Sequence, residues 1–123
     1  MHRCIISLAA NCQQEENLAR ARECLGRILT VIRFTEELWT DPVGTVRRPD
    51  KYLNQLLYAE TALSVEELTG RLKEIEMLMG RTDDDRRQGI VRIDLDLMQY
   101  DKERYHLRDW ERPYIQSLLA NGQ

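Results

Sequence analysis

The stretch Arg92-Ile93-Asp94-Leu95-Asp96-Leu97-Met98 limits the possible folds of this chain more than any other. Apolar and acidic side chains alternate with the period of a β-strand. Ile93, Leu95 and Leu97 then share one face, while Asp94 and Asp96 share the other, about 6.5 to 7 Å apart. The apolar face demands a covering layer, and the opposite face carries two carboxylates side by side. Such a pair suits one or two hard cations, and magnesium is commonly held by one or two carboxylates together with substrate phosphates. Magnesium-dependent phosphoryl chemistry is therefore the first reading. The plainer reading makes both aspartates the wet side of a half-buried strand, and the rest of the chain has to decide between the two.

A chain of 123 residues, 42% hydrophobic and 32% charged, is expected to form one soluble domain spanning residues 1–123 around a single core. No apolar run approaches the length of a membrane span. The start, Met1 to Leu8, is short and turns polar by Asn11, so it reads as a buried strand and not a signal peptide, which points to a cytoplasmic protein. Cys4, Cys12 and Cys24 are odd in number and form no C-x-x-C pair, so neither a disulfide framework nor a zinc site is indicated. A formal charge of −3 argues against general nucleic-acid binding. A small anion could still be held locally by Arg81, Arg86, Arg87 and Arg92, which crowd toward the acidic strand.

Periodicity gives a strand over 2–9, a helix over 14–29 with Leu18, Ala21, Leu25 and Ile28 on one stripe, and strands over 31–38 and 52–61. Ser64-Val65-Glu66-Glu67 matches a capping box and opens a second helix carrying Leu68, Leu72, Ile75 and Met79, which Gly80 ends. The acidic strand follows over 91–100. The order β-α-β-β-α-β is that of the ferredoxin-like α+β sandwich. Its topology brings three connections to one end of the sheet: the turn after the first strand, the long loop 40–50 and the loop 81–88. The aspartates would point into the open face beside them. A C-terminal helical tail enters at Pro113, with Trp110 and Tyr114 as packing residues. His2 and His106 pair with no evident nucleophile or ligand and are expected at the surface.

These ordered motifs together resemble the 6-hydroxymethyl-7,8-dihydropterin pyrophosphokinase family. The likeness rests on Thr40 with Pro42-Val43-Gly44, Tyr52-Leu53-Asn54, Glu60-Thr61, Ile75-Glu76, Gly80-Arg81, Arg87, Gly89 and Ile93-Asp94-Leu95-Asp96-Leu97, over roughly residues 4–100. The resemblance implies a folate-pathway transfer of diphosphate from ATP to the hydroxymethyl group of a reduced pterin, giving AMP. It implies that Asp94 and Asp96 hold two Mg2+ ions, that Arg81 and Arg92 clamp phosphate as catalytic residues, and that Glu76, Arg87 and Leu97 lie near the nucleotide. Tyr52, Asn54 and the Thr40, Pro42, Val43, Gly44 segment would meet the pterin. ATP and the pterin are the only partners implied, with no nucleic acid or membrane, and the oligomeric state is not readable.

The chain also departs from that pattern. Ala9-Ala10-Asn11 stands where the family usually has Gly-Ser-Asn. The arginine loop reads Thr82-Asp83-Asp84-Asp85-Arg86-Arg87-Gln88-Gly89-Ile90-Val91-Arg92, with acids for bases, Gln88 for a tryptophan and the last arginine displaced by one position. Its aspartates are expected simply to solvate the loop. The family's Pro-His segment, with a later arginine and an aromatic that closes the pterin site, is not recognisable; only Pro113-Tyr114 echoes it, and Trp110 or Tyr114 would have to substitute for that aromatic. The alternative reading is accordingly a catalytically degenerate ligand-binding or interaction domain of the same fold.

Overall fold

Every second residue of the first strand, β1 (His2–Ala10), is buried from Cys4 onward, as a sheet with one covered face requires. The computed structural model describes residues 1–42 and 48–121. After β1 come α1 (Gln14–Leu25), β2 (Thr30–Phe34), β3 (Leu38–Thr40), β4 (Tyr52–Thr61), α2 (Val65–Leu78), α3 (Asp83–Gln88), β5 (Asp94–Tyr100), β6 (Glu103–Arg104), α4 (Leu107–Trp110) and α5 (Pro113–Asn121). The main sheet runs β2-β4-β1-β5-β6, with β3 also on β4, and the described pairings are antiparallel. This is the expected ferredoxin-like α+β arrangement. Leu18, Ala21 and Leu25 of α1 and Leu68, Leu72 and Ile75 of α2 pack on Ile6, Leu8, Leu57, Leu95 and Leu97. Ser64 caps α2 as read: its hydroxyl accepts from Glu67 N–H, and Glu67 accepts from Ser64 N–H.

Four expectations need correction. The helix expected over 14–29 stops at Leu25, and Ile28 packs on the core from beyond its end. The strand expected over 31–38 breaks at Thr35, whose hydroxyl accepts from Leu56 N–H at 3.0 Å in place of a ladder carbonyl. The loop 81–88 contains a helix, α3, because Thr82 caps it through Asp85 N–H and Gly89 closes it at φ 73°. The acidic strand begins at Asp94 and not at 91.

The tail does more than add a terminal helix. Trp110, Ile115 and Leu118 bury Leu56 and Met98 on the sheet face opposite α1 and α2, forming a second, smaller core. Trp110 is fixed there by its indole N–H, which donates to Tyr105 O at 2.9 Å.

Candidate active site

Strand register builds the site. On β1, Ser7 pairs with Asp96 on one side and Leu56 on the other, and Ala9 pairs with Asp94 and Asn54. Paired residues of antiparallel strands share a face, so Asp94, Asp96 and Asn54 stand on the face opposite α1 and α2. The small side chains of Ser7 and Ala9 leave an open floor between them. Above it lies a cavity of about 450 Å³ lined by Thr40, Pro42, Tyr52, Asn54, Asp94 and Asp96, with Arg48, Arg86, Arg112 and Tyr114 on its walls. Thus six of the residues picked out in the sequence meet in one place. Val43 and Gly44 lie outside the described residues.

The mouth is held by Asn11, which is buried at the end of β1. Its amide donates to Gly89 O at 2.8 Å, its carbonyl accepts from Val91 N–H at 2.7 Å, and its own N–H bonds Val91 O at 2.9 Å. A turn of Ala9-Ala10-Asn11 therefore keeps the clamp between the first strand and the loop entering β5.

A second groove of about 360 Å³ runs along the outer edge of β5, lined by Glu76, Arg81, Leu97 and His106 and sharing Asp94 and Asp96 with the cavity. Glu76 is buried; it accepts from Leu95 N–H at 2.8 Å and from Arg81 Nη1 at 3.0 Å. Burial raises its carboxyl above the ordinary range, while the Leu95 N–H opposes that rise. Arg81 Nη1 also lies 3.8 Å from Asp94 Oδ1. Leu97 contributes to this groove and belongs to the helix-facing core.

Arg87 and Arg92 stand apart from both spaces. Arg87 Nη2 bonds Asp84 at 2.8 Å on the exposed side of α3. Arg92 does not share the Asp94 side of a strand; it sits in the loop and bonds Asp85 through Nε at 2.9 Å. Asp85 is buried and so is not there merely to solvate the loop.

The aspartate pair fits a cation. Asp96, with 31% of its side chain exposed, has its carboxyl pushed up to about 6 by burial and then by the charge of Asp94. Two carboxylates side by side, one of them holding its proton more tightly beside the other's charge, are a donor set that a divalent ion would relieve.

The tail adds three side chains to the site, of which only Tyr114 is anticipated in the sequence. His106 is exposed, as expected, and its Nε2 lies 3.7 Å from Asp96 Oδ1. Arg112 and Tyr114 line the cavity from the tail. Burial and then the charge of Asp109 raise the Tyr114 hydroxyl above its ordinary value. The signal was present as the run His106, Arg112, Tyr114, hidden because no proline precedes the histidine.

Comparison with known proteins follows this geometry. The chain matches the family model described as 7,8-dihydro-6-hydroxymethylpterin-pyrophosphokinase over residues 5–121. It is 34% identical over 101 residues to a folate synthesis bifunctional protein of Arabidopsis thaliana, covering 76% of this chain and 21% of the relative. It is 39% identical over 90 residues to a mitochondrial folate synthesis bifunctional protein of Pisum sativum, covering 67% of this chain and 17% of the relative. The matched region is therefore about a fifth of the length of these curated relatives.

Proposed function

The chain belongs to the 7,8-dihydro-6-hydroxymethylpterin-pyrophosphokinase family, and from that premise we propose that it transfers diphosphate from ATP to the hydroxymethyl group of 6-hydroxymethyl-7,8-dihydropterin, within folate synthesis. The observation that carries the reading is the shared register of Asp94, Asp96 and Asn54 over Ser7 and Ala9, which puts two carboxylates and an amide into one cavity.

In this reading the hydroxymethyl oxygen bonds to the β-phosphorus of ATP as its proton passes to solvent, the bond from that phosphorus to the bridging α-phosphate oxygen breaks, and AMP leaves with that oxygen. Asp94 and Asp96 would hold two Mg2+ ions, which when bound neutralise phosphate charge and orient the attacking hydroxyl. Tyr52 from β4 and Tyr114 from α5 offer two aromatic walls for the pterin. Asn54, whose amide nitrogen is committed to Thr40 Oγ1 at 2.8 Å and Leu38 O at 3.0 Å, would turn its carbonyl to the ring's polar edge. Thr40 and Pro42 close that end of the cavity, where Val43 and Gly44 also belong in this reading. Arg81, oriented by Glu76, and Arg112 would meet phosphate. ATP would lie along the β5 edge groove beside Glu76 and Leu97. Arg87 and Arg92 could join only by leaving Asp84 and Asp85.

That tether favours the second reading, a domain that binds pterin without turnover. Incubation with ATP, Mg2+ and the reduced pterin separates the two. The transferase reading expects AMP release that Asp96→Asn abolishes, and pterin binding with no AMP overturns it.

A further inference from the structure

Asp96, His106 and Asp109 come from two different elements, yet a carboxylate oxygen or ring nitrogen from each lies within 4.8 Å of the others. Ligands 2.0–2.2 Å from a shared ion stand roughly 3 to 4.3 Å apart, and His106 Nε2 to Asp96 Oδ1 is already 3.7 Å. Closing the third donor takes a movement well under the length of one bond. The cluster also occupies a distinctive place: Asp109 lines the cavity, His106 lines the β5 edge groove, and Asp96 lines both.

Local structure holds each donor. Asp96 is fixed by the β1–β5 ladder opposite Ser7. His106 turns the chain at φ 54°, ψ 51° before α4, and its carbonyl accepts from Asp109 N–H at 2.9 Å. Asp109 Oδ1 accepts from Arg112 Nε at 3.0 Å, an outer contact that orients the carboxylate and leaves its other oxygen for an ion.

We propose that Asp96, His106 and Asp109 form a three-donor site for a first-row divalent transition cation, which the chain binds without nucleotide. An imidazole beside two carboxylates suits manganese, iron(II), cobalt or zinc, whereas magnesium prefers oxygen alone. Asp94 is not a member of this set. Because Asp96 is also a ligand in the proposed Mg2+ pair, the inference deepens the transferase reading: a transition cation held here before ATP arrives would compete with Mg2+ for that carboxylate.

The test uses Mn2+ alone with the full chain, free of nucleotide and pterin. The expected result is one Mn2+ per chain, with pulsed electron paramagnetic resonance showing a directly coordinated imidazole nitrogen. That nitrogen signal disappears in His106→Gln and persists in His2→Gln, while Asp109→Asn weakens binding at least about tenfold. Near-ultraviolet circular dichroism of each variant verifies that the fold is retained. Absence of nitrogen coupling in the wild type, its survival in His106→Gln, or unchanged affinity in Asp109→Asn overturns the proposal. The AMP assay with Mg2+ is read separately, so loss of the transferase reading and loss of this site give different patterns.

Discussion

At the scale of single residues, Asp96 and Glu76 show how burial turns carboxylates into instruments. Asp96 binds its proton more tightly in the fold than in the unfolded chain, its pKa rising from 3.8 to about 6 through burial and the charge of Asp94. Its contribution to stability is therefore fully present below pH 3.8 and lost as pH rises toward about 6. The difference in unfolding free energy between wild type and Asp96→Asn, measured without metal in a pH series, is expected to move against the wild type across that window and level off above it. Cation affinity should run the other way, strengthening as pH rises through the same range, because only the ionised carboxylate ligates. Glu76 serves the fold directly, since it accepts the Leu95 N–H and holds Arg81. Glu76→Ala strands that buried N–H and should cost about 1–3 kcal/mol by urea titration. Glu76→Gln, which retains an acceptor, should cost less. The roles of Asp94 and Asp96 as neighbours were legible from alternation alone. That His106 meets Asp96 was not, because a contact across ten residues of turning chain has no periodicity to betray it.

At the scale of elements, an apolar stripe makes α1 and α2 legible in the sequence, and α3, which has none, reads there as a loop. The Ser64 capping box was legible because both partners lie within one turn, and Ser64→Ala is expected to cost about 1 kcal/mol, read as a shift in the thermal midpoint. Helix α3 is six residues long and carries no apolar stripe, so its only sequence signals were Thr82 and Gly89. It exists as part of a local latch: Asp85 of α3 binds Arg92, and Gly80 at φ 96° lets the Arg92 side chain pass where a Cβ would stand 3.3 Å away. Arg92→Ala and Asp85→Ala should each destabilise by about 1–3 kcal/mol. A double-mutant cycle should find their effects strongly non-additive, since each removes the same pair. Additive effects would dissolve the latch into two independent contacts.

At the scale of the whole molecule, two cores are joined through one sheet, and the second gives the site its far wall. Leu118 lies in that smaller core and also borders the cavity. Leu118→Ala should lower stability by about 2–5 kcal/mol and weaken pterin binding together, as followed by urea unfolding and by titration with the reduced pterin. Cys4 lies in the larger core, where burial pushes its thiol up to about 11. It should resist alkylation at neutral pH until the protein unfolds, as mass spectrometry of labelled peptides would show. The β-α-β-β-α-β order of the principal strands and helices, the faces they bury and the acidic pair were determined by the sequence itself, because each depends on periodicity and caps spanning a few residues. The tertiary structure alone decided that Arg92 is tied to Asp85, that the tail covers Leu56 and Met98, and that His106 and Asp109 come to Asp96. Those contacts join segments whose separation along the chain carries no local pattern, so only packing against a shared sheet face can choose them.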